Sequence, residues 1–353
     1  MSGGVDSSVA AALVLRSGAE AVGVSMQLYD QREGASGEGF GSCCSLDDLH
    51  DARKVAKTLG IPHYIMNFER QFEQQVIGNF VGEYARGRTP LPCARCNSDL
   101  KFATLLERAR GFGANAVATG HYARVAWDTT SGRYRLRRGR DMSKDQSYFL
   151  FALTQDQLAD ARFPVGELTK AEVREQARAL GLGVAEKPES QEICFVPDDD
   201  YAAFVGRRGT GLGSGPIVDP TGRVLGRHAG IHQFTVGQRK GLGVAVGQPL
   251  YVLELRPETR EVVVGSADAL EERDLLAEHV NWISDDPPTS AVSATVQIRH
   301  RHRAAPAIVT PLDGERARVE FDEPQRAIAP GQAAVFYDGD VVLGGGWIAG
   351  RSR

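Results

Sequence analysis

Two groups of residues in this chain have the types and spacing of reacting groups. The first is Ser2-Gly3-Gly4-Val5-Asp6-Ser7-Ser8, followed at once by an apolar run from Val9 to Leu15. A glycine pair, an acid and two hydroxyls therefore open a helix. The first turn of a helix leaves backbone N–H groups without intrahelical partners and carries the positive end of the dipole, so it attracts anions. Gly3 and Gly4 let the backbone approach an anion closely because no Cβ intervenes, and Ser7 and Ser8 add hydroxyl donors. The pattern predicts a phosphate site. It is not a Walker loop, which needs G-x-x-x-x-G-K-[ST], and no lysine lies near it in the sequence. An ordinary glycine-containing helix cap accounts for two or three of these residues, not for all seven.

The second group is made of thiols. Cys93 and Cys96 stand in Pro90-Leu91-Pro92-Cys93-Ala94-Arg95-Cys96-Asn97, just before a predicted helix, and Cys194 follows in Ile193-Cys194-Phe195. Thiols beside a helix terminus, with Arg95 and Lys101 nearby, gain stabilisation as thiolates and become nucleophilic near neutral pH. A lone C-x-x-C also fits a metal site, a redox pair or a chance spacing. Zinc normally takes four ligands, and no second C-x-x-C or H-x-x-x-H follows. Cys194 reads equally as a small apolar residue buried in a strand. The adjacent Cys43 and Cys44 are too close for an easy mutual disulfide and read as structural. Five cysteines, an odd number without a secretory signal, imply reduced thiols in a cytoplasm.

These residues must be held by a larger frame. From Ser2 to about residue 155, short apolar runs alternate with helical patterns. Strands are expected at Ala21–Met26, His63–Met66 and Ala116–Thr119, and helices at Asp47–Leu59, Phe72–Tyr84 and Phe102–Gly111. The alternation implies an α/β fold whose parallel sheet is covered on both faces. Ligands of such sheets bind beyond the carboxyl ends of the strands, which puts the loop, Met26 and Thr119-Gly120-His121 on one rim. A loop of this type follows a strand, so a first strand is expected upstream of Met1. Thr169 to Leu180 carries a capping-box start (Thr169, Glu172) and a glycine stop at Gly181. Glycines multiply after Tyr201, and from Leu250 onward short β-rich runs separated by turns suggest an antiparallel sheet or small barrel. Three domains are expected: 1–200, 201–272 and 273–353. With 42% apolar and 24% charged residues the composition is globular, and no apolar run approaches the length that crosses a bilayer. A net charge of −4 argues against an unspecific nucleic-acid coat. Two basic stretches, Arg133–Arg140 and Arg299–Arg303, could still hold RNA locally. Their alternation is also that of a half-exposed strand.

SGGVDSS resembles the PP-loop of the N-type ATP pyrophosphatases, which bind the pyrophosphate part of ATP. Taken with the cysteines, the chain resembles the bacterial tRNA-specific 2-thiouridylases along essentially its whole length. The matching segments include Ala118-Thr119-Gly120-His121-Tyr122, Lys144-Asp145-Gln146-Ser147-Tyr148-Phe149-Leu150, Ile193-Cys194-Phe195, Phe234-Thr235-Val236-Gly237-Gln238-Arg239-Lys240-Gly241-Leu242-Gly243 and Gly344-Gly345-Gly346-Trp347-Ile348. SGGVDSS alone would also fit GMP synthetases, and a tRNA-binding protein with a vestigial ATP site is a further alternative. The resemblance implies an adenine-nucleotide α-hydrolase-like PP-loop domain, a small central domain and a C-terminal antiparallel β-barrel. It implies adenylation of the C2 oxygen of the wobble uridine by ATP, then sulfur transfer from a persulfide to give 2-thiouridine. By the same resemblance Cys96 is the nucleophile and Cys194 the persulfide carrier, and the two end as a disulfide. A sulfur-relay protein or cysteine desulfurase would load the sulfur.

ATP would be held by Ser2, Gly3, Gly4, Val5, Asp6, Ser7, Ser8, Met26 and Gly120, with Asp6 as the magnesium partner. The tRNA would meet Leu91, Pro92 and Cys93 at the target base, and His121, Lys144, Asp145, Gln146, Arg299, His300 and Gln332 elsewhere. Many relatives have Asn-Pro-Asp where this chain has Leu91-Pro92-Cys93, and a cysteine replaces an aspartate able to do acid–base work. Cys93, Cys96 and Cys194 could instead hold an iron–sulfur cluster by three thiolates, leaving one iron open.

Overall fold

The computed structural model describes residues 1–29, 46–188, 193–196, 199–244 and 246–350; Cys43 and Cys44 lie outside the described residues. The chain divides into two compact units. The first takes the described parts of Met1–Val76, Cys93–Asp199 and Asp340–Val342, and the second takes Ile77–Pro92, Asp200–Gly339 and the chain from Leu343 onward.

In the first unit α1 (Val5–Arg16) has an acid, Asp6, in its first turn and a base, Arg16, in its last. Both suit the helix dipole. Its buried face, Val5, Val9 and Ala10, packs with Val55, Tyr122, Val165, Val173 and Ala177 into one core. Strand β1 (Gly23–Gln27) pairs in parallel with β2 (His63–Asn67), Gly23 opposite His63 and Gln27 opposite Asn67, and α2 (Leu46–Leu59) lies between them in sequence. Met1 runs alongside β1: its amino group donates to the Val24 carbonyl, and its own carbonyl accepts from Ser25 Oγ at 2.6 Å.

The chain is helical from Glu69 to Ala85, as α3 (Glu69–Phe72), a π-helical stretch and α4 (Gly78–Ala85). It is helical again from Pro92 to Gly111, as α5 (Pro92–Arg95), a second π-helical stretch (Cys96–Thr104) and α6 (Leu105–Gly111). Next come β3 (Val117–Ala118), the hairpin β4 (Ala123–Asp128) and β5 (Arg133–Arg138), α7 (Gln155–Asp160) and β6 (Ala161–Arg162), which pairs in parallel with β3. The expected parallel sheet is thus present as two two-stranded pieces, β1–β2 and β3–β6. Helix α8 (Lys170–Ala179) has the complete capping box: Glu172 N donates to Thr169 Oγ1, and Thr169 N donates to Glu172 Oε2 at 2.6 Å.

In the second unit α9 (Tyr201–Arg208) precedes a four-stranded sheet made of β7 (Gly215–Val218), β8 (Val224–His228), β9 (Tyr251–Arg256) and β10 (Glu261–Gly265), in the order β8-β7-β10-β9. Its core holds Ile217, Ile231, Phe234, Leu242, Leu250 and Val252. Six strands follow: β11 (Glu271–Trp282), β12 (Val292–Gln297), β13 (Ala305–Leu312), β14 (Arg316–Arg326), β15 (Ala333–Asp338) and β16 (Val341–Gly350). They run in the order β11-β14-β13-β12-β15-β16, and β16 pairs back onto β11, closing an antiparallel barrel without an open edge. Alternate residues point inward, as Ala317, Val319 and Phe321 do on β14. This is the barrel the β-rich runs predict.

Candidate active site

The glycine loop occupies the N-terminus of α1, and its composition follows from crowding. Gly3 has φ +71°, and a Cβ there would lie 2.2 Å from the Asp48 carbonyl oxygen. Gly4 is the N-cap residue and caps with no side chain, so the first-turn amides stay directed outward. A Cβ on Gly120, two residues past β3, would lie 2.6 Å from Asp6 C and Ser7 N. The strand end and the loop therefore touch through backbone, and Met26 stands near the carboxyl end of β1 in the same unit. A Gly120→Ala substitution is expected to push the loop off β3 and raise the KM for ATP by about tenfold, roughly 1.4 kcal/mol of binding. An unchanged KM in a variant of normal melting temperature would contradict that.

The serines do not behave as expected. Ser7 Oγ donates to the Gly4 carbonyl at 3.1 Å and accepts from Ser2 N at 3.1 Å, while Ser8 Oγ donates to the same carbonyl at 2.8 Å. A hydroxyl has one proton to give, and Ser8 is fully buried. Both hydroxyls thus brace the turn, and the outward donors are backbone amides.

The absence of a lysine near the loop holds only in the sequence. Lys170 Nζ lies 2.8 Å from each Asp6 oxygen, and Tyr122 OH donates to Asp6 Oδ1 at 2.7 Å. The Lys170 side chain is 11% exposed. A cation at the first position of a helix opposes the dipole, and that local mismatch in α8 was the available signal. A second lysine, Lys187, joins Asp48 and Asp51 of α2 at 2.7 Å each. Burial alone would lower the Lys187 pKa, but its hydrogen bonds to the two carboxylates prevail and hold it above the ordinary lysine value.

Pro92 opens α5, a position its missing N–H suits. Cys93 follows, exposed, and Cys96 is buried at the start of the π-helical stretch. Such π segments recur at functional sites. Asn97, itself buried, ties this turn down: its Nδ2 donates to the Phe149 carbonyl at 3.1 Å, and its Oδ1 accepts from Lys101 Nζ at 3.0 Å. Gln157 Nε2 adds a bond to the Ser98 carbonyl at 2.9 Å. Asn97 and Tyr122 are positioning residues that sequence reasoning passed over.

Cys194 is half-buried in a turn closed by Val196 N on the Ile193 carbonyl, so the buried-strand reading of Ile193-Cys194-Phe195 is overturned. Phe195 packs edge-on against Phe72 at 5.5 Å and anchors that turn. Cys93, Cys96 and Cys194 are all thiols, with no disulfide among them. Among the described residues no group of three or more His, Cys, Asp or Glu side chains is arranged to hold a metal. The three-cysteine iron–sulfur site is therefore not assembled, because Cys93 faces out of its helix while Cys96 faces in.

The residues expected at RNA divide into exposed and braced sets. Asp145 is a buried brace, accepting from Arg138 Nη1, Gly139 N, Ser147 N and Ser147 Oγ at 2.9–3.1 Å. Gln146 Oε1 accepts from Tyr122 N at 3.0 Å, and Lys144 is half-buried between Asp141 and Asp145 in the chain. Arg133–Arg138 is strand β5, and two of its four arginines are answered by acids, Arg135 by Asp128 and Arg138 by Asp145, as is Arg140 beyond the strand by Glu172. In the second unit Arg299 and His300 are exposed in the turn after β12, while Gln332 Nε2 bonds the Thr89 carbonyl at 3.1 Å. Leu91 and Pro92 are buried, leaving Cys93 as the exposed residue of that triplet.

His121 is bonded through Nδ1 to Thr119 Oγ1 at 2.7 Å, and the Phe102 and Phe163 rings flank it. Burial, reinforced by the Lys101 charge, lowers its pKa well below the ordinary histidine value. The unfolded chain therefore binds a proton near pH 6.5 that the folded protein does not. Stability is complete above that pH and is lost as pH falls, at up to about 1.4 kcal/mol per pH unit for this group. His63, His228, His232 and His302 shift in the same direction, each with burial as the first cause. Melting temperature is thus expected to drop between pH 6.5 and 5, and His121→Gln should flatten that fall. An identical slope in the variant would refute the assignment.

Models of three protein families match consecutive stretches of the chain: a tRNA methyl transferase HUP domain over 1–198, a tRNA methyl transferase PRC-barrel domain over 203–266 and an aminomethyltransferase beta-barrel domain over 272–348. The chain is 56% identical to the tRNA-specific 2-thiouridylase MnmA of Geotalea uraniireducens, over 99% of this chain and 93% of that one. It is 55% identical to the protein of the same name in Solibacter usitatus and 52% to that in Koribacter versatilis, each over 99% of this chain and 97% of the relative. With near-complete coverage on both sides and domain matches in the same order, the chain belongs to the tRNA-specific 2-thiouridylase family.

Proposed function

We propose that this protein is an ATP-dependent sulfurtransferase that converts the wobble uridine of tRNA to 2-thiouridine. The observation that carries the reading is the gathering, in one compact unit, of an outward-directed helix N-terminus with a lysine beside it and of two thiols from segments about a hundred residues apart. The amides of α1 and Lys170 hold the polyphosphate of ATP. The uridine C2 oxygen attacks the α-phosphorus, and pyrophosphate leaves. The terminal sulfur of a Cys194 persulfide then attacks C2, and the C2–O bond breaks to release AMP. Cys96 thiolate attacks the Cys194 sulfur of the resulting mixed disulfide, freeing 2-thiouridine and leaving a Cys96–Cys194 disulfide that a thiol reductant reopens.

Asp6, one carboxylate beside substrate phosphates, is a donor set of the kind magnesium prefers, and the ion would neutralise charge on the departing pyrophosphate. Asp145, Gln146 and Asn97 shape the ground on which Lys144, His121 and Cys96 stand. Arg299, His300 and Gln332 are offered as tRNA contacts of the second unit. A persulfide-bearing relay protein or cysteine desulfurase supplies the sulfur. The reduced thiols favour work in the cytoplasm, and no helix among the described residues is long and apolar enough to cross a membrane.

The test is AMP formation from ATP with and without unmodified tRNA. AMP that requires tRNA supports the reading. AMP formed equally without tRNA contradicts it and favours a small-molecule synthetase, and tRNA binding without AMP favours a non-catalytic binding protein.

A further inference from the structure

The segment Phe234–Gly243 has no part in the chemistry above, yet the structure holds it in a defined shape. Gln238 clamps it: Oε1 accepts from Thr235 N at 3.0 Å and Nε2 donates to the Lys240 carbonyl at 3.0 Å. Gly237 N and Val252 N complete the anchorage to β9 through bonds to the Val252 and Gln238 carbonyls. Past the clamp the backbone alternates in hand. Gly241 has φ +76° and Gly243 φ +68°, while Lys240 and Leu242 stay on the negative side. Alternation of this kind turns successive N–H groups into one concavity that suits an anion. Among the described residues no hydrogen bond takes up the N–H groups of Gly241, Leu242 or Gly243.

Arg239 and Lys240 stand at the same turn. Both are exposed, and neither side chain has a hydrogen bond or ion pair to any described residue. In that they differ from Arg135, Arg138 and Arg140, whose charges are already answered by acids. Beside them is a cavity of about 350 Å³ with Arg239, Leu242, Val244, Pro249 and Leu250 in its wall and no acidic side chain lining it. Cation, open amides and an apolar wall together suit a phosphodiester with its sugar and base alongside.

We infer that the Arg239–Gly243 turn, in the segment leading into β9 of the second unit, is a phosphodiester-binding site for the tRNA substrate. This rests on the reading that the protein acts on tRNA. It predicts a contact that contributes affinity and salt dependence and selects no base.

The experiment is fluorescence anisotropy of labelled, unmodified tRNA against the full chain across a salt series. Two variants are compared with wild type: Arg239→Gln combined with Lys240→Gln, and Gly243→Ala. The first changes two exposed side chains that have no hydrogen bond or ion pair to any described residue. The second keeps every charge but disfavours the left-handed φ on which the concavity depends. The double variant should weaken tRNA binding by about tenfold and lower the slope of log Kd against log salt by about 1 to 2. Gly243→Ala should weaken binding as well, although net charge is unchanged. Wild type that binds tRNA while both variants match it in Kd and slope would overturn the site and leave the thiolation reading standing. Wild type that fails to bind tRNA would overturn both. Variants that raise the KM for ATP at unchanged tRNA Kd would overturn the site in favour of a nucleotide pocket.

Discussion

A Cys194→Ser protein is expected to release pyrophosphate from ATP in the presence of tRNA, up to one equivalent per tRNA, yet to form no detectable 2-thiouridine. In the proposed mechanism adenylation uses the loop, Lys170 and the uridine oxygen, and Cys194 takes part in none of the bonds made or broken. Sulfur delivery needs a sulfur that can carry a second sulfur, and a serine oxygen cannot. Thiolation should fall by at least about a thousandfold, the scale seen when a covalent-catalysis residue is removed. Cys96→Ser should behave differently. The terminal sulfur still reaches C2, so AMP is released once, but the tRNA stays joined to Cys194 through a disulfide that only added thiol cleaves. A covalent protein–tRNA adduct that dissolves in reductant distinguishes the two thiols. Equal behaviour of the two variants would refute the division of labour. Cys93→Ser is the comparison: this exposed thiol is expected at the target base but forms no sulfur bond in the proposed steps, so the variant should still accumulate 2-thiouridine.

The second large effect concerns Lys170. Its ammonium sits 2.8 Å from both Asp6 oxygens at the mouth of α1, beside a loop whose own sequence has no lysine. On the proposed reading, removing it takes a cation from the pyrophosphate and leaves Asp6 with only its Tyr122 hydrogen bond, facing an anionic ligand. Lys170→Ala is expected to lower kcat/KM for ATP by about a hundredfold or more, roughly 3 kcal/mol of transition-state stabilisation. Lys170→Arg keeps the charge and should recover part of it. A purely structural Lys170 would instead lower melting temperature in both variants with kcat and KM unmoved at low temperature. The double variant Asp6→Asn, Lys170→Ala separates the roles further: the ion-pair contribution to stability vanishes from the comparison, but the ATP defect remains.

Much of this site was legible in the sequence because it is made of local signals. The glycine pair, the first-turn acid and the apolar run specify the loop within a few residues of each other. The capping box at Thr169 and Glu172 marks the start of α8, and the alternating β runs mark the barrel strands. What stayed hidden depends on tertiary partners. Ser8 reads as a donor to an anion, but whether a hydroxyl points to ligand or to the Gly4 carbonyl is decided by burial that sequence spacing does not contain. Lys170 lies 164 residues from Asp6, so no spacing rule links them. Asp145 looks like an RNA contact within a basic stretch, yet Arg138 and the Ser147 amide draw it inward. Cys194 lies in a β-like tripeptide, and the edge-on packing of Phe195 on Phe72 makes it a turn.

In the proposed reaction one chain adenylates a tRNA uridine and replaces its C2 oxygen with sulfur. The most direct measurement is nucleoside mass spectrometry of unmodified tRNA after incubation with the protein, ATP and a persulfide donor, with AMP counted in the same tube. The expected result is 2-thiouridine at the wobble position and AMP in one-to-one amounts, both lost without ATP. AMP accumulating over an unchanged wobble uridine would contradict it.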